Sequence, residues 1–320
     1  MRIKAQPIHT TSNALLNYAT PIMNLAQHIN TFGQSLLRQH GERVHKLALN
    51  VGFTCPNRDG TLGRGGCTFC NNASFNPQGR QFPDIDTQLA AGRAVLAKRT
   101  GAKKFIAYFQ AYTNTYADVA QLKILYDQAL QHPDVIGLSI GTRPDCVPDV
   151  VLDLLASYRD RGFEVWLELG LQSSFNDTLK RINRGHDYQS YVDAVKRIHA
   201  RNLNLCTHLI VGLPGEDLSH NMTTLDRVLE LKTHGLKLHP LHVVKGTQLA
   251  NEWRRGEYQP LTLDEYIDTA VTMIRHTPSD IIFHRVTATA SLDMLLAPMW
   301  CNKKWLVLNS IAERLHRVGT

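Results

Sequence analysis

The sequence lacks the features that mark secreted and membrane-bound proteins. It has no amino-terminal apolar stretch of the kind found in signal peptides, and no uninterrupted apolar run long enough to cross a bilayer. No internal repeat or low-complexity tract stands out. These absences predict a cytoplasmic protein that does not contact a membrane.

Cysteine is scarce, and the basic residues do not form a single run. Six cysteines in a cytosolic chain favour metal ligands or buried thiols over a disulfide framework. The 35 lysines and arginines exceed the 28 aspartates and glutamates, which gives a formal net charge of +7. This balance is compatible with a polyanionic partner but does not require one, because the basic residues are scattered.

What the 320 residues do contain is a regular alternation of strand and helix patterns. Repeated units of this length predict parallel strands joined by right-handed crossovers. A closed or partial barrel and a doubly wound open sheet would both give this pattern. The predicted strands are 45–51, 104–110, 135–142, 164–172, 204–211 and 236–244, and the helices between and after them are at about 85–99, 118–131, 148–161, 187–201, 220–233 and 263–276.

Three cysteines lie in one glycine-rich loop after the first predicted strand. Eleven residues separate Cys55 from Cys67, and two separate Cys67 from Cys70. A closed structural zinc site needs four ligands, so His45 or a nearby histidine would have to supply the fourth. An iron–sulfur cube held by three thiolates instead leaves one iron open to another ligand. The other three cysteines lie on different elements and are predicted to be buried, inert thiols.

The loop resembles the cluster motif of the radical S-adenosylmethionine (SAM) superfamily, C-x-x-x-C-x-aromatic-C. Phe69 stands where the aromatic residue precedes the third cysteine. The long first spacer is similar to that of the radical SAM half of the Elongator catalytic subunit, and the run CPNRDGTLGRGGCTFC is similar to that of the bacterial YhcC-type family. The resemblance implies an α/β fold with a partial (β/α)6 barrel at 45–278, a helical lead-in at 1–44, and an extension at 279–320 that closes the barrel.

The resemblance also implies residues that contact SAM. A strand-end glutamine and an arginine twelve residues later correspond to Gln172 and Arg184. The turn after the fifth strand, which contains Gly212 and Gly215, is similar to the adenine-contacting segment of the superfamily. Phe69 would lie against or near the same adenine.

Further candidates stand where the sequence departs from the superfamily pattern. His208 occupies a position where related enzymes often carry aspartate, and it either binds the ribose or is a core histidine. The second strand lacks the usual glycines that bind the methionine amino group, and Gln110 and Thr113 are their substitutes. In the third strand Gly141 replaces an expected glutamate, which leaves Thr142 as a ribose contact.

Side-chain alternation adds a predicted site wall to these candidates. Glu168, Gly170 and Gln172 share one face of the fourth strand, whereas apolar residues occupy the other face. Arg143 either contacts SAM or forms a structural salt bridge, and His242 is placed to face substrate.

The resemblance implies a complete radical mechanism. Cys55, Cys67 and Cys70 would bind a [4Fe–4S] cluster, SAM would complete the coordination of its fourth iron, and a flavodoxin or ferredoxin would donate the electron that cleaves SAM to a 5′-deoxyadenosyl radical. Analogy with relatives that modify tRNA makes an RNA base the first substrate hypothesis, and a protein side chain or a small metabolite competes with it. A non-catalytic zinc or RNA-binding protein is the alternative from another functional class.

Overall fold

Seven parallel strands form one curled sheet in the computed structural model, which describes residues 24–74 and 83–317. The strands are β1 (Val44–Leu49), β2 (Lys104–Phe109), β3 (Val135–Thr142), β4 (Glu164–Gln172), β5 (Asn204–Val211), β6 (Gly235–Pro240) and, after the two-residue strand β7 (Val243–Val244), β8 (Ile282–Arg285). They follow the order β1-β2-β3-β4-β5-β6-β8, and every neighbouring pair is parallel. Their carboxyl ends therefore meet at one edge, where such folds place their chemistry.

Helices connect successive strands and cover the outer face of the sheet. The helices are α1 (Phe32–His40), α2 (Pro56–Asp59), α3 (Ile85–Thr100), α4 (Val119–Leu130), α5 (Asp149–Asp160), α6 (Asn176–Arg181), α7 (Tyr188–His199), α8 (Leu218–Glu230), α9 (Gln248–Arg254), α10 (Leu263–His276) and α11 (Lys304–Arg317). Capping side chains fix the residues at which several helices begin. At α10, for example, Thr262 and Glu265 form a reciprocal capping box. Within the described ranges, no helix combines the length and apolar character needed to cross a membrane.

The outer face of the sheet carries the main apolar core. Val165, Leu167, Leu169 and Leu171 alternate along β4 and are fully buried in that core, as the sequence pattern predicts. Burying one such leucine contributes roughly 1.5–3 kcal/mol. The apolar face thus fixes the register of β4 and directs the remaining side chains inwards.

The inner face of β4 passes through three layers. At the bottom Trp166 packs edge-on against Phe32 of α1, with ring centroids 5.4 Å apart, and α1 closes this end of the half-barrel. Glu168 lies in the middle and is fully buried. Gly170 and Gln172 lie at the top, and both line a cavity. Apolar, charged and open layers therefore succeed one another towards the carboxyl edge.

The predicted partial barrel is confirmed, with a correction to its sixth strand. The strand predicted at 236–244 is too long, because β6 ends at Pro240, which has no backbone N–H to donate. Residues of β7 instead pair antiparallel with β9 (Leu295–Ala297). The extension contributes β8, which pairs with β6 as the seventh strand. Residues 1 to about 20 of the predicted lead-in lie outside the described residues, and the boundaries at 44/45 and 278/279 stay a prediction.

Candidate active site

A cavity of about 180 Å³ lies beside the cysteine loop, at the carboxyl ends of the early strands. Cys55, Cys67 and Cys70 all line it, opposite strand-end residues that include Gln110 and Gln172. This space is called the cysteine pocket below. The three thiols of the loop thus converge on one cavity, next to a wall of polar side chains.

The cysteine loop is fastened to the segment that follows α6. The Asn57 side chain donates to the Asn183 carbonyl (2.5 Å), and the Asn183 side chain donates back to the Gly66 carbonyl (2.8 Å). The Thr68 N–H donates to the Ile182 carbonyl (3.0 Å). Gly66 has φ +81°, and a Cβ there would lie 2.7 Å from Nε of Arg58, so no larger residue fits this turn. These bonds hold the loop with its thiols facing the pocket.

The thiols influence one another and have N–H donors nearby. Burial, and then the neighbouring Cys67, raise the pKa of Cys70, while Arg58 opposes the rise. Near the Cys67 sulfur lie Nη1 of Arg184 (3.6 Å) and Nδ2 of Asn57 (3.9 Å). Donors of this kind stabilise thiolate sulfur and tune iron–sulfur clusters. The donor set fits a cluster held by three cysteines.

Seven of the predicted cofactor-binding residues line the cysteine pocket: Phe69, Gln110, Thr113, Thr142, Gln172, Arg184 and His208. Two of them carry buried polar atoms without a hydrogen-bond partner in the described structure, the Thr113 hydroxyl and Nε of Arg184. Such atoms are costly unless a ligand supplies the missing partner. The pocket therefore has the character of a site for a polar ligand.

The close packing around Gly170 positions Arg184. Nη2 of Arg184 donates to the Gly170 carbonyl (2.6 Å). A Cβ at Gly170 would lie 2.8 Å from that nitrogen and 2.6 Å from the Gln172 side-chain nitrogen. From the other side, Arg143 forms a two-pronged salt bridge with Asp145 and donates to the Arg184 carbonyl (2.8 Å). Arg143 thus forms the salt bridge that was one of its two predicted roles, while also lining the pocket.

Gly212 and Gly215 do not join the other candidates. Both have positive φ, as the predicted turn requires, and both line a separate hollow together with Glu216 and Tyr258. The Tyr258 hydroxyl donates to the Gly212 carbonyl (2.9 Å). Their predicted contact with adenine stays a prediction.

Below the pocket, Glu168 is the centre of a buried charged cluster. Two lysines on strands far apart in sequence, Lys46 and Lys237, both contact its carboxylate. Burial alone would raise the pKa of Glu168, but the two lysines outweigh it and hold that pKa well below its usual range. Ser139 Oγ (2.6 Å) and His208 Nε2 (2.8 Å) also donate to this carboxylate, while His284 Nδ1, which accepts from Lys46 (3.1 Å), lies 3.4 Å from it.

The cluster contains more positive than negative groups, and the pKa values reflect this. Burial lowers the pKa of Lys46 to about 8; Glu168 opposes the shift and Lys237 adds to it. Burial, assisted by Lys237, also lowers the pKa of His208 to about 4, so its imidazole is neutral at pH 7. His208 is therefore a hydrogen-bonded member of this cluster as well as a pocket residue.

Sequence reasoning missed both lysines. Lys46 and Lys237 each interrupt an otherwise apolar strand, and Lys237 shares its face with His239. A lysine in such a strand is rare unless it is paired. That signal was available, but its partner Glu168 lies 122 residues from Lys46 and 69 from Lys237.

A second cavity of about 270 Å³ adjoins the cysteine pocket. Phe69, Tyr108, Gln172 and His208 are among the residues that line both spaces. The residues that line only this cavity include Lys237, His239, His242 and Arg285, and they lie beside apolar residues such as Ile210 and Leu241. This space is called the basic cavity below. It includes His242, which the sequence placed towards substrate.

The predicted zinc site has no counterpart among the described residues. His45 does not line the cysteine pocket. Within 24–74 and 83–317, no three side chains of His, Cys, Asp or Glu are arranged to hold a single metal ion.

Comparison with known proteins identifies the superfamily. Residues 49–228 match the radical SAM superfamily, and residues 233–317 match the radical SAM C-terminal domain. The chain is 50% identical to Protein YhcC of Escherichia coli (93% of this chain, 95% of the relative) and 38% identical to the uncharacterized protein YtqA of Bacillus subtilis (95% and 94%).

More distant matches cover only part of the chain or show the fold alone. A tRNA uridine(34) acetyltransferase of Methanocaldococcus jannaschii is 31% identical over 42% of this chain and 24% of its own length. Among solved structures, Elp3 of Methanocaldococcus infernus superposes with a TM-score of 0.63 at 17% identity, over 86% of this chain and 63% of that one.

The family models and the relatives that span nearly the whole chain show that it belongs to the radical SAM superfamily of enzymes and, within it, to the YhcC family.

Proposed function

We propose that this enzyme binds a [4Fe–4S] cluster through Cys55, Cys67 and Cys70 and cleaves SAM reductively in the cysteine pocket. The observation that carries the proposal is the convergence of three thiols on a cavity in which the Thr113 hydroxyl and Nε of Arg184 have no partner among the described residues. When bound, the cluster and SAM supply a 5′-deoxyadenosyl radical that removes a hydrogen atom from substrate. A flavodoxin or ferredoxin is the proposed electron donor.

The side chains of the pocket have separate tasks in this proposal. Arg184, held by the Gly170 carbonyl and supported by Arg143, binds the methionine carboxylate. Thr113 and Gln110 bind the amino group, and Thr142 and Gln172 bind the ribose. The protein thereby orients SAM and excludes water, while the cofactor carries the bond-breaking chemistry.

The first experiment is to purify and reconstitute the protein without oxygen, count iron and sulfide, and then add SAM and dithionite. About four irons per chain and formation of 5′-deoxyadenosine are expected. Cys67→Ala abolishes nucleoside formation, whereas Cys301→Ala, which changes a buried thiol outside the pocket, retains it. Stoichiometric zinc in the wild-type protein, or an iron cluster that never cleaves SAM, contradicts the proposal.

For the substrate, we propose an RNA base as the first hypothesis. The net charge of +7 and the sequence pI of about 9.1 support this hypothesis. The partial similarity to a tRNA uridine(34) acetyltransferase also supports it. A protein side chain or a small metabolite is the rival. Binding of tRNA at graded salt, with Lys or Arg substituted at the barrel rim, separates these hypotheses, because affinity for nucleic acid must fall with salt and with lost charge.

A further inference from the structure

Basic residues form a row across the last three neighbouring strands of the barrel, and Lys237 and Arg285 are its charged members, because burial lowers the pKa of both histidines. In the sheet register His208 of β5 lies beside Lys237 of β6, and Lys237 lies beside Arg285 of β8. His239 follows two positions after Lys237 and therefore points to the same side. All four line the basic cavity. Three separate strands thus contribute to one concave, basic wall.

The charge on this wall is not balanced by the protein groups that the structure describes. Lys46 and Lys237 share one carboxylate, Glu168, so the cluster beneath the cavity keeps an excess positive charge. Arg285 adds another charge at the mouth, where it is exposed and forms no salt bridge with a described carboxylate. No aspartate or glutamate is among the described residues that line the basic cavity. Buried positive charge without a partner is unfavourable, and an anionic ligand would relieve it.

One imidazole of the cavity also has an unused nitrogen. Nε2 of His239 is buried and lacks a hydrogen-bond partner in the described structure. The ring of His239 stacks on that of His208, with centroids 5.7 Å apart. This nitrogen indicates a ligand that forms a hydrogen bond, in addition to one that carries charge.

We propose that the basic cavity is the substrate site and that it binds an oxyanion group of the substrate, a phosphate or a carboxylate, through Arg285, Lys237 and His239. The proposal rests on the function above, since a substrate must lie next to the cysteine pocket, which shares a wall with this cavity. A volume of about 270 Å³ suits a small organic anion or a single nucleotide group. The oxyanion can therefore belong to a free small molecule or to an RNA phosphate.

The test is calorimetric titration of the anaerobically reconstituted enzyme at fixed ionic strength, with and without SAM. The probes are inorganic phosphate, succinate and unfractionated tRNA. Wild-type enzyme is expected to bind at least one probe saturably, and Arg285→Gln is expected to raise its dissociation constant about tenfold or more, since a charged hydrogen bond is lost. The control is Arg254→Gln, an exposed arginine that lines neither cavity and also lacks a described carboxylate partner.

The outcomes separate the sources of the oxyanion. Saturable binding of phosphate or succinate, weakened only in Arg285→Gln, assigns the cavity to a small anion. Binding of tRNA alone, weakened in the same way, assigns it to an RNA phosphate. No saturable binding by any probe, or equal weakening in Arg254→Gln, overturns the proposal.

The two proposals also fail separately. Arg254 lines neither cavity, so Arg254→Gln is expected to form 5′-deoxyadenosine at the wild-type rate. If wild-type enzyme cleaves SAM but Arg285→Gln binds every probe normally, only the oxyanion site is wrong. If wild-type enzyme never cleaves SAM, the cofactor assignment is wrong, whatever the titrations show.

Discussion

The early and late halves of the sheet differ in the side chains that they send into the barrel. Near the cysteines, the early strands and the loops after them provide hydroxyl and amide groups, including Gln110, Thr113 and Thr142, and three arginines also line the pocket: Arg58, Arg143 and Arg184. The late strands β5, β6 and β8 provide bases, including Lys237, His239 and Arg285. Glu168, at the end of the early half, is the only carboxylate among the described residues that line either space.

This difference fits the two ligands proposed above. Hydroxyl and amide groups, together with Arg184, suit the polar and charged groups of SAM in the proposed function. A wall with excess positive charge suits an anion. Glu168 joins the halves, because it binds Lys46 from the first strand and Lys237 from the sixth.

The largest expected effect, on the stability of the fold, comes from removing the Glu168 carboxylate that joins the two halves. Glu168→Gln removes the carboxylate and leaves two buried lysines without a counter-charge, so we expect the free energy of unfolding to fall by about 3–5 kcal/mol. Urea denaturation at pH 7 measures it. The control Glu257→Gln removes an exposed partner of Arg255 and should leave the midpoint unchanged. Equal midpoints for both variants would show that the junction does not stabilise the barrel.

The half of the sheet near the cysteines is tested by adding a methyl group at Gly170. A Cβ there would lie 2.8 Å from Nη2 of Arg184, so Gly170→Ala should displace the guanidinium. We expect the affinity for SAM to fall about 10- to 100-fold, the effect of losing one charge-assisted hydrogen bond. The control is Gly33→Ala, where no atom lies within 4 Å of the new Cβ. Unchanged affinity in an anaerobic SAM titration of Gly170→Ala would remove Arg184 from the proposed binding site.

The charge excess predicts a dependence of stability on pH. The pKa of Lys46 is lowered to about 8, among Glu168, Lys237, His284 and Tyr108. The unfolded chain keeps this proton up to higher pH than the folded chain, so the destabilising charge is fully present below pH 8 and is relieved as pH rises through it. Between pH 7.5 and 9.5 the wild-type protein should gain about 2 kcal/mol of unfolding free energy relative to Lys46→Met.

The measurement is a pair of urea denaturation series, one for each protein, across that pH range. Lys123→Met serves as the control, because Lys123 is an exposed lysine that pairs with Asp127 on the outer surface. A wild-type curve parallel to that of Lys46→Met would mean that Lys46 titrates normally and that the cluster around Glu168 carries no excess charge.

The smallest effect is expected from Thr113→Val. The Thr113 hydroxyl is buried without a described partner, so its loss should change the stability of the cofactor-free protein by less than about 1 kcal/mol. Affinity for SAM should nevertheless fall a few-fold if the hydroxyl meets the cofactor. Thermal denaturation and SAM titration of the same preparation check both parts. A marked loss of stability without loss of affinity would assign Thr113 to the fold instead.

The sequence predicted the half of the sheet near the cysteines better than the half formed by the last strands, for a physical reason. Gln172 and Arg184 belong to one short segment, so the resemblance to the superfamily placed both of them in the pocket, and strand alternation gave Gln172 the same face as Glu168. The cluster around Glu168 exists only because the sheet curls and brings β1 and β6 to the same carboxylate. Periodicity assigns a face to Lys237, but it does not specify which distant residue that face meets. The break after Pro240 was also missed, since an apolar run extends past it.

The fastening of the cysteine loop has a consequence for how the enzyme is assembled. Asn57 donates to the Asn183 carbonyl and Asn183 to the Gly66 carbonyl, and neither bond uses a cysteine sulfur, so neither competes with metal binding at the thiols. Under the proposed function, loss of the cluster to oxygen leaves both bonds in place. Repair of oxidative damage would then require delivery of iron and sulfide to a loop that is still attached to the segment after α6.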